Sequence, residues 1–120
     1  MAEVEIDSVA GTCVVKIEGW DRVWALKSQL TIPLEHVRGA CVDPDVKLSW
    51  KTLKVAGTHV PGVIAAGRFY EHGDLVFWDV HDANQAIVID LTDERYTRLV
   101  IQVDDPAATV TRITAALSAR

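Results

Sequence analysis

The side chains able to do chemistry fall into four groups along the 120-residue chain. Lys47, Lys51 and Lys54 lie in a stretch, Val46 to Ala66, that contains no Asp or Glu. Their spacing of 4 and 3 places them on one stripe of a helical turn, beside an apolar stripe of Val46, Trp50 and Leu53. A small basic amphipathic pattern of this kind meets an anionic surface or an acidic partner. The alternative is a solvated loop that Trp50 anchors to the core. Thr58 and His59 follow in Gly57-Thr58-His59-Val60-Pro61-Gly62. Two glycines and a proline imply an unusual backbone path, a corner between strands. Its two polar residues either line a ligand groove or cap a loop onto the body.

Asp79, His81 and Asp82 form the third group. Asp79 and His81 share one side of an extended segment, with Asp82 at the following turn. A transition-metal site wants three or four convergent ligands. Two plus a neighbour fall short, and His81-Asp82-Ala83-Asn84 also reads as a turn in which Asp and Asn bond their own backbone. No metal is expected. With Thr58 and His59, however, Asp79 and His81 define an alternative small-ligand or enzyme site at one mouth of the fold. The fourth group is Trp20 and Trp24, which recur with Val23 at helical spacing over Trp20–Lys27, a stretch whose alternative reading is a strand. They supply an apolar anchor for a protein interface, or else ordinary core.

Enzymatic signatures are not found elsewhere. Ser8, Ser28, Ser49 and Ser118 sit in no Gly-x-Ser-x-Gly setting. Gly57–Gly62 lacks the lysine of a phosphate-binding loop. Cys13 falls on the apolar face of a strand, where a small buried hydrophobe is expected, and Cys41 has no diagnostic neighbourhood. The chain is expected not to be an enzyme and to carry no cofactor.

The elements that must hold these residues read from punctuation and period. Turn signals recur about every 8–12 residues, the rhythm of an antiparallel sandwich or barrel. Cys13, Val15 and Ile17 alternate with polar neighbours, as do Val76, Trp78 and Val80 (with Asp79 opposite), Ile87, Ile89 and Leu91 (with Asp90 opposite), and Leu99, Ile101 and Val103. Period two means one buried and one wetter face. Further strands are expected at Glu3–Ser8, Gln29–Leu34, Val37–Val42 and Val63–Tyr70, with Pro33 at an edge or strand end. Short links around Gly73 and Asn84 predict hairpins between neighbours. After Asp104-Asp105-Pro106 the period changes. Val110, Ile113 and Leu117 are spaced 3 and 4, Asp105 is a fitting N-cap, and Pro106 suits the first helical position. This helix must cover an open end of the sheets.

Composition bounds the rest. One domain spanning 1–120 accommodates 49% hydrophobic and 24% charged residues. Twelve basic against 17 acidic residues give −5, the wrong sign for nonspecific nucleic-acid binding, and it offsets part of any attraction of the three lysines to anionic lipid. No apolar run reaches the ~20 residues of a membrane span. The acidic N-terminus lacks a signal-peptide layout, and two cysteines are too few for a disulfide scaffold. A cytoplasmic location is the default expectation.

Ile32-Pro33-Leu34-Glu35-His36-Val37, then Gly57–Gly62, then Phe77-Trp78-Asp79-Val80, then Leu99-Val100-Ile101 with Asp104-Asp105-Pro106 resemble, in that order, the small bacterial proteins with a pleckstrin-homology-like domain. The resemblance runs from about Glu3 to Leu117. It implies a mainly β barrel of about seven strands, in two bent, nearly orthogonal antiparallel sheets, with a C-terminal helix plugging one open corner. It supplies no catalytic residues. Some related bacterial domains form ring-shaped oligomers, so a protein partner or self-association is expected. Phosphoinositide-binding members use a basic pocket near the first hairpin, whereas Ile6–Cys13 here holds no Lys or Arg. The expected function is a non-enzymatic binding or assembly module.

Overall fold

Alternating β-branched residues, interrupted by turns that only particular backbones can make, build the first sheet. In the computed structural model the described residues are 2–17, 29–42, 53–60, 64–71, 73–80 and 83–119, with 53–60, 64–67, 71 and 83 described as backbone only. β1 (Ala2–Asp7), β2 (Thr12–Ile17) and β3 (Gln29–Pro33) form an antiparallel three-stranded sheet in that order. Cys13, Val15 and Ile17 are withdrawn from solvent as the alternation requires. The β1–β2 turn is set by Asp7, whose Oδ1 accepts from the N–H groups of Val9 and Ala10 at 3.1 and 3.0 Å. Gly11 closes it at φ +71°, a left-handed position that suits glycine.

Pro33 ends β3, as its missing donor demands, and a 3-10 turn over Leu34–His36 carries the chain into the second sheet. That sheet has six strands in the order β4-β8-β9-β7-β6-β5. They are β4 (Val37–Val42), β5 (Leu53–Val60), β6 (Ile64–Glu71), β7 (Asp74–Val80), β8 (Ala86–Leu91) and β9 (Arg98–Gln102). α1 (Pro106–Ser118) follows. The fold is therefore mainly β, two sheets with one C-terminal helix. The sheets stand as separate ladders and do not close into a barrel.

Four expectations are corrected. Among the described residues there are nine strands, where about seven were expected. Gly57–Val60 belongs to a strand, β5, rather than to a corner loop, and a bulge between Lys54 and Ala56 interrupts its period. The link around Asn84 does not make a hairpin. It is a 3-10 turn, Ala83–Gln85, and β9 inserts between β7 and β8, parallel to β7 and antiparallel to β8. The sheet is thus not wholly antiparallel. The hairpin around Gly73 does form, with Gly73 at φ +87°. Finally, Asp79 does not face water: it is fully buried, like Phe77 and Trp78 on opposite faces of the same strand. A central strand covered on both sides has no wet face for alternation to reveal.

α1 begins as its sequence predicts. Asp105 Oδ1 accepts from the Ala108 N–H at 3.1 Å, with Pro106 in the first turn. Ile113 is fully buried, Val110 and Leu117 are half-buried, and all three join the inter-sheet core of Val4, Val15, Val37, Ile89 and Leu99. The helix packs chiefly on β4 and also touches β1, so it spans the gap between the two sheets. Arg112 completes the join by donating from Nη1 to the Val4 carbonyl at 2.9 Å. A β1 edge carbonyl is thereby satisfied from the helix.

Candidate functional site

Where the first hairpin, the 3-10 corner and the end of α1 meet, they leave an open groove of about 620 Å³. Its sides come from three sources: Ile6 to Thr12 of the β1–β2 hairpin, Pro33 to Glu35 of the corner, and Ala116 and Ala119 of the helix end. Each side is fixed by local chemistry. The Leu34 N–H donates to the Gly11 carbonyl at 2.8 Å, tying corner to hairpin. The Thr92 N–H donates to the His36 carbonyl at 2.9 Å, and His36 Nδ1 meets Glu94 Oε2 at 2.5 Å, tying the corner to the β8–β9 loop. Small residues at Ala116 and Ala119 leave the space open.

The surfaces are mostly apolar, with the hydroxyls of Ser8 and Thr12 and one carboxylate, Glu35. Among the described residues no Lys, Arg or His lines the groove. The C-terminal turn of α1 adds partial negative charge from its last carbonyl groups. Val9, between the lining residues Ser8 and Ala10, is 98% exposed at the hairpin tip, beside a groove it does not fill. The Glu94 contact, with Glu35 and Asp93 adding to it, raises the His36 pKa above its ordinary value, and desolvation opposes this.

Of the residues singled out by sequence, Asp79 alone is described with its side chain, and it is not among the groove's lining residues. Trp20, Trp24, Lys47, Trp50, Lys51, His81 and Asp82 fall outside the described residues, and with them the Trp20–Lys27 helical turn. Lys54 is in β5, opposite Phe69, so a helical stripe with Lys54 as its third member is overturned. Thr58 and His59 are consecutive positions of β5, opposite Ala66 and Ala65. Ala66 in turn pairs with Asp79, so Thr58 and Asp79 occupy one cross-strand row, about 10 Å apart at two strand spacings. Among the described residues no three of His, Cys, Asp and Glu gather as metal ligands. Cys13 is buried and its thiol is pushed up to about 11 by desolvation, against the opposing charge of Arg112, so it packs rather than reacts. Cys41 is an exposed free thiol at the end of β4.

The first hairpin holds no Lys or Arg, and no single segment's pattern displays the groove beside it. A signal was present: Asp7-Ser8-Val9-Ala10-Gly11 sets a large apolar residue in the middle of a turn built by polar chemistry. Among the described residues no helix is long and apolar enough to cross a membrane. The chain matches no family model, no curated protein and no solved structure.

Proposed function

We infer that this chain is a non-enzymatic binding module on a pleckstrin-homology-like frame, and that the groove beside the first hairpin receives its partner. Two successive sheets joined at a corner, with a closing C-terminal helix, support the frame. The parallel β7–β9 pair is a departure from the all-antiparallel pattern. The observation that carries the binding reading is the groove itself, formed from three elements and flanked by an almost fully exposed valine. Apolar side chains left uncovered at a rigid concavity are the ordinary mark of a recognition surface. The nearby β1 edge is less suited to pairing with another strand, because Arg112 already occupies its Val4 carbonyl.

A fragment screen followed by backbone amide NMR tests this reading. Hits are expected to shift the amides of Ser8–Thr12, Leu34–Glu35 and Ala116–Ala119 together. Shifts that gather on another surface, or none at millimolar fragment, overturn it.

A further inference from the structure

The loop from Thr92 to Thr97, which links β8 to β9, is held at two places in different ways. Its neck is closed by backbone: the Leu91 N–H donates to the Thr97 carbonyl and the Thr97 N–H to the Leu75 carbonyl, both at 2.9 Å. Tyr96 anchors the same end, buried and edge-on to Phe77 with ring centroids 5.6 Å apart. Residues 92–95 have no such footing. Thr92, Asp93 and Arg95 are exposed, and Asp93 holds φ +56°, a left-handed value that costs a residue with a side chain and persists where contacts impose it. Among the described residues the hydrogen bonds that hold this tip both go to His36. Its carbonyl accepts from the Thr92 N–H at 2.9 Å, and its Nδ1 lies 2.5 Å from Glu94 Oε2. The charges acting on the imidazole are carboxylates: Glu94 touches it, and Asp93 on the loop and Glu35 on its own 3-10 turn add to the field. The loop's one cation, Arg95, lies 5.9 Å from the Tyr96 ring centre instead. Arg38, two residues along in β4, is exposed and is not among the groups acting on His36. The described end of α1, which also packs on this turn, has no charged side chain over Ala115–Ala119.

We propose that His36 and Glu94 form a proton-controlled latch on the β8–β9 loop. The imidazolium holds residues 92–95 against the corner between the sheets, and loss of its proton lets them open while the neck at Leu91 and Thr97 stays closed. While His36 is charged, one cation offsets the acids around it. A neutral imidazole can still donate one hydrogen bond to Glu94, but Glu35, Asp93 and Glu94 then face one another without a counter-charge. That repulsion and the strain at Asp93 both favour opening. An exposed tip with few buried contacts opens locally before the fold does. Histidine ordinarily titrates near 6.5, and the contact with Glu94 moves the value upward. The latch is therefore shut on the acidic side and released as pH rises.

The test is amide NMR on the full chain from about pH 5.5 to about pH 8.5, with the His36 ring titrated directly in carbon–proton spectra. Exchange rates are corrected for the intrinsic pH dependence of each amide. Protection of the Thr92 amide should fall by up to about fivefold, the reach of a partly exposed ion pair, and the midpoint should coincide with that of the His36 ring. Backbone motion of Asp93–Arg95 should rise over the same range, while the Leu91 and Thr97 amides keep their protection. Glu94→Gln removes the charge but keeps a hydrogen-bond acceptor, so it should bring the His36 midpoint down and erase most of the Thr92 step. Constant Thr92 protection across the His36 titration overturns the proposal. So does a loss shared by Leu91 and Thr97, which marks opening of the sheet rather than of a latch, and so does a Glu94→Gln chain that keeps the full Thr92 step.

Discussion

Replacing Ile113 by Ala tests whether α1 is part of the core or an attachment to it. Ile113 is fully buried and packs in the cluster that joins β1, β4, β8 and β9. The substitution removes three carbons, about 0.8 kcal/mol each in transfer terms, or about 2.4 kcal/mol. A residual cavity of about 50 Å³ adds roughly 1 kcal/mol at ~24 cal/mol per Å³. The sum, about 3–4 kcal/mol, is a large share of the ~5–15 kcal/mol that holds a domain together. In urea, with a slope of about 1.5 kcal/mol/M, the midpoint should fall by roughly 2 M. Far-UV circular dichroism and the fluorescence of buried Trp78 should report one coincident transition before and after substitution. Val110→Ala, at a half-buried position on the same stripe, should cost about 1 kcal/mol by loss of two carbons in partial contact. A loss below about 1 kcal/mol for Ile113→Ala refutes the reasoning. So does a helical signal that melts separately while Trp78 stays protected.

Three further outcomes are expected. Asp105→Ala removes the acceptor for the Ala108 N–H and should cost about 1 kcal/mol, read from the same urea curves. Arg112→Met frees the Val4 carbonyl, so light scattering should show more self-association through the β1 edge; it also withdraws the charge that lowers the Cys13 pKa, so the thiol should titrate higher still. The His36 pKa is raised in the folded state by Glu94, so its contribution is complete below the ordinary histidine value of about 6.5 and is lost as pH rises through the folded-state value. Stability should therefore fall as pH rises above about 6.5, and His36→Gln should flatten that slope; an identical slope in the variant would falsify the ion-pair account.

What was legible in the sequence was local. Residues 12–17 alternate cleanly, and a strand forms over those residues. The Asp105-Pro106 start and the stripe of Val110, Ile113 and Leu117 announce α1, because capping and a 3.6-residue period are properties of one segment. β5 escaped for a local reason as well. Lysines at spacing 4 and 3 imitate a helix, Gly57 imitates a turn, and the bulge after Lys54 breaks the period of two that would have exposed the strand.

The sequence by itself determined which segments extend and which one coils, since those choices depend on neighbours a few positions away. Only the tertiary structure decided that β9 would slip between β7 and β8, that Asp79 would lie in the interior, and that three remote segments would leave a groove beside Val9. Strand partners are chosen by contacts between residues far apart in the chain, and a concavity is made by what several elements fail to fill. Neither quantity has a period that a single segment can display.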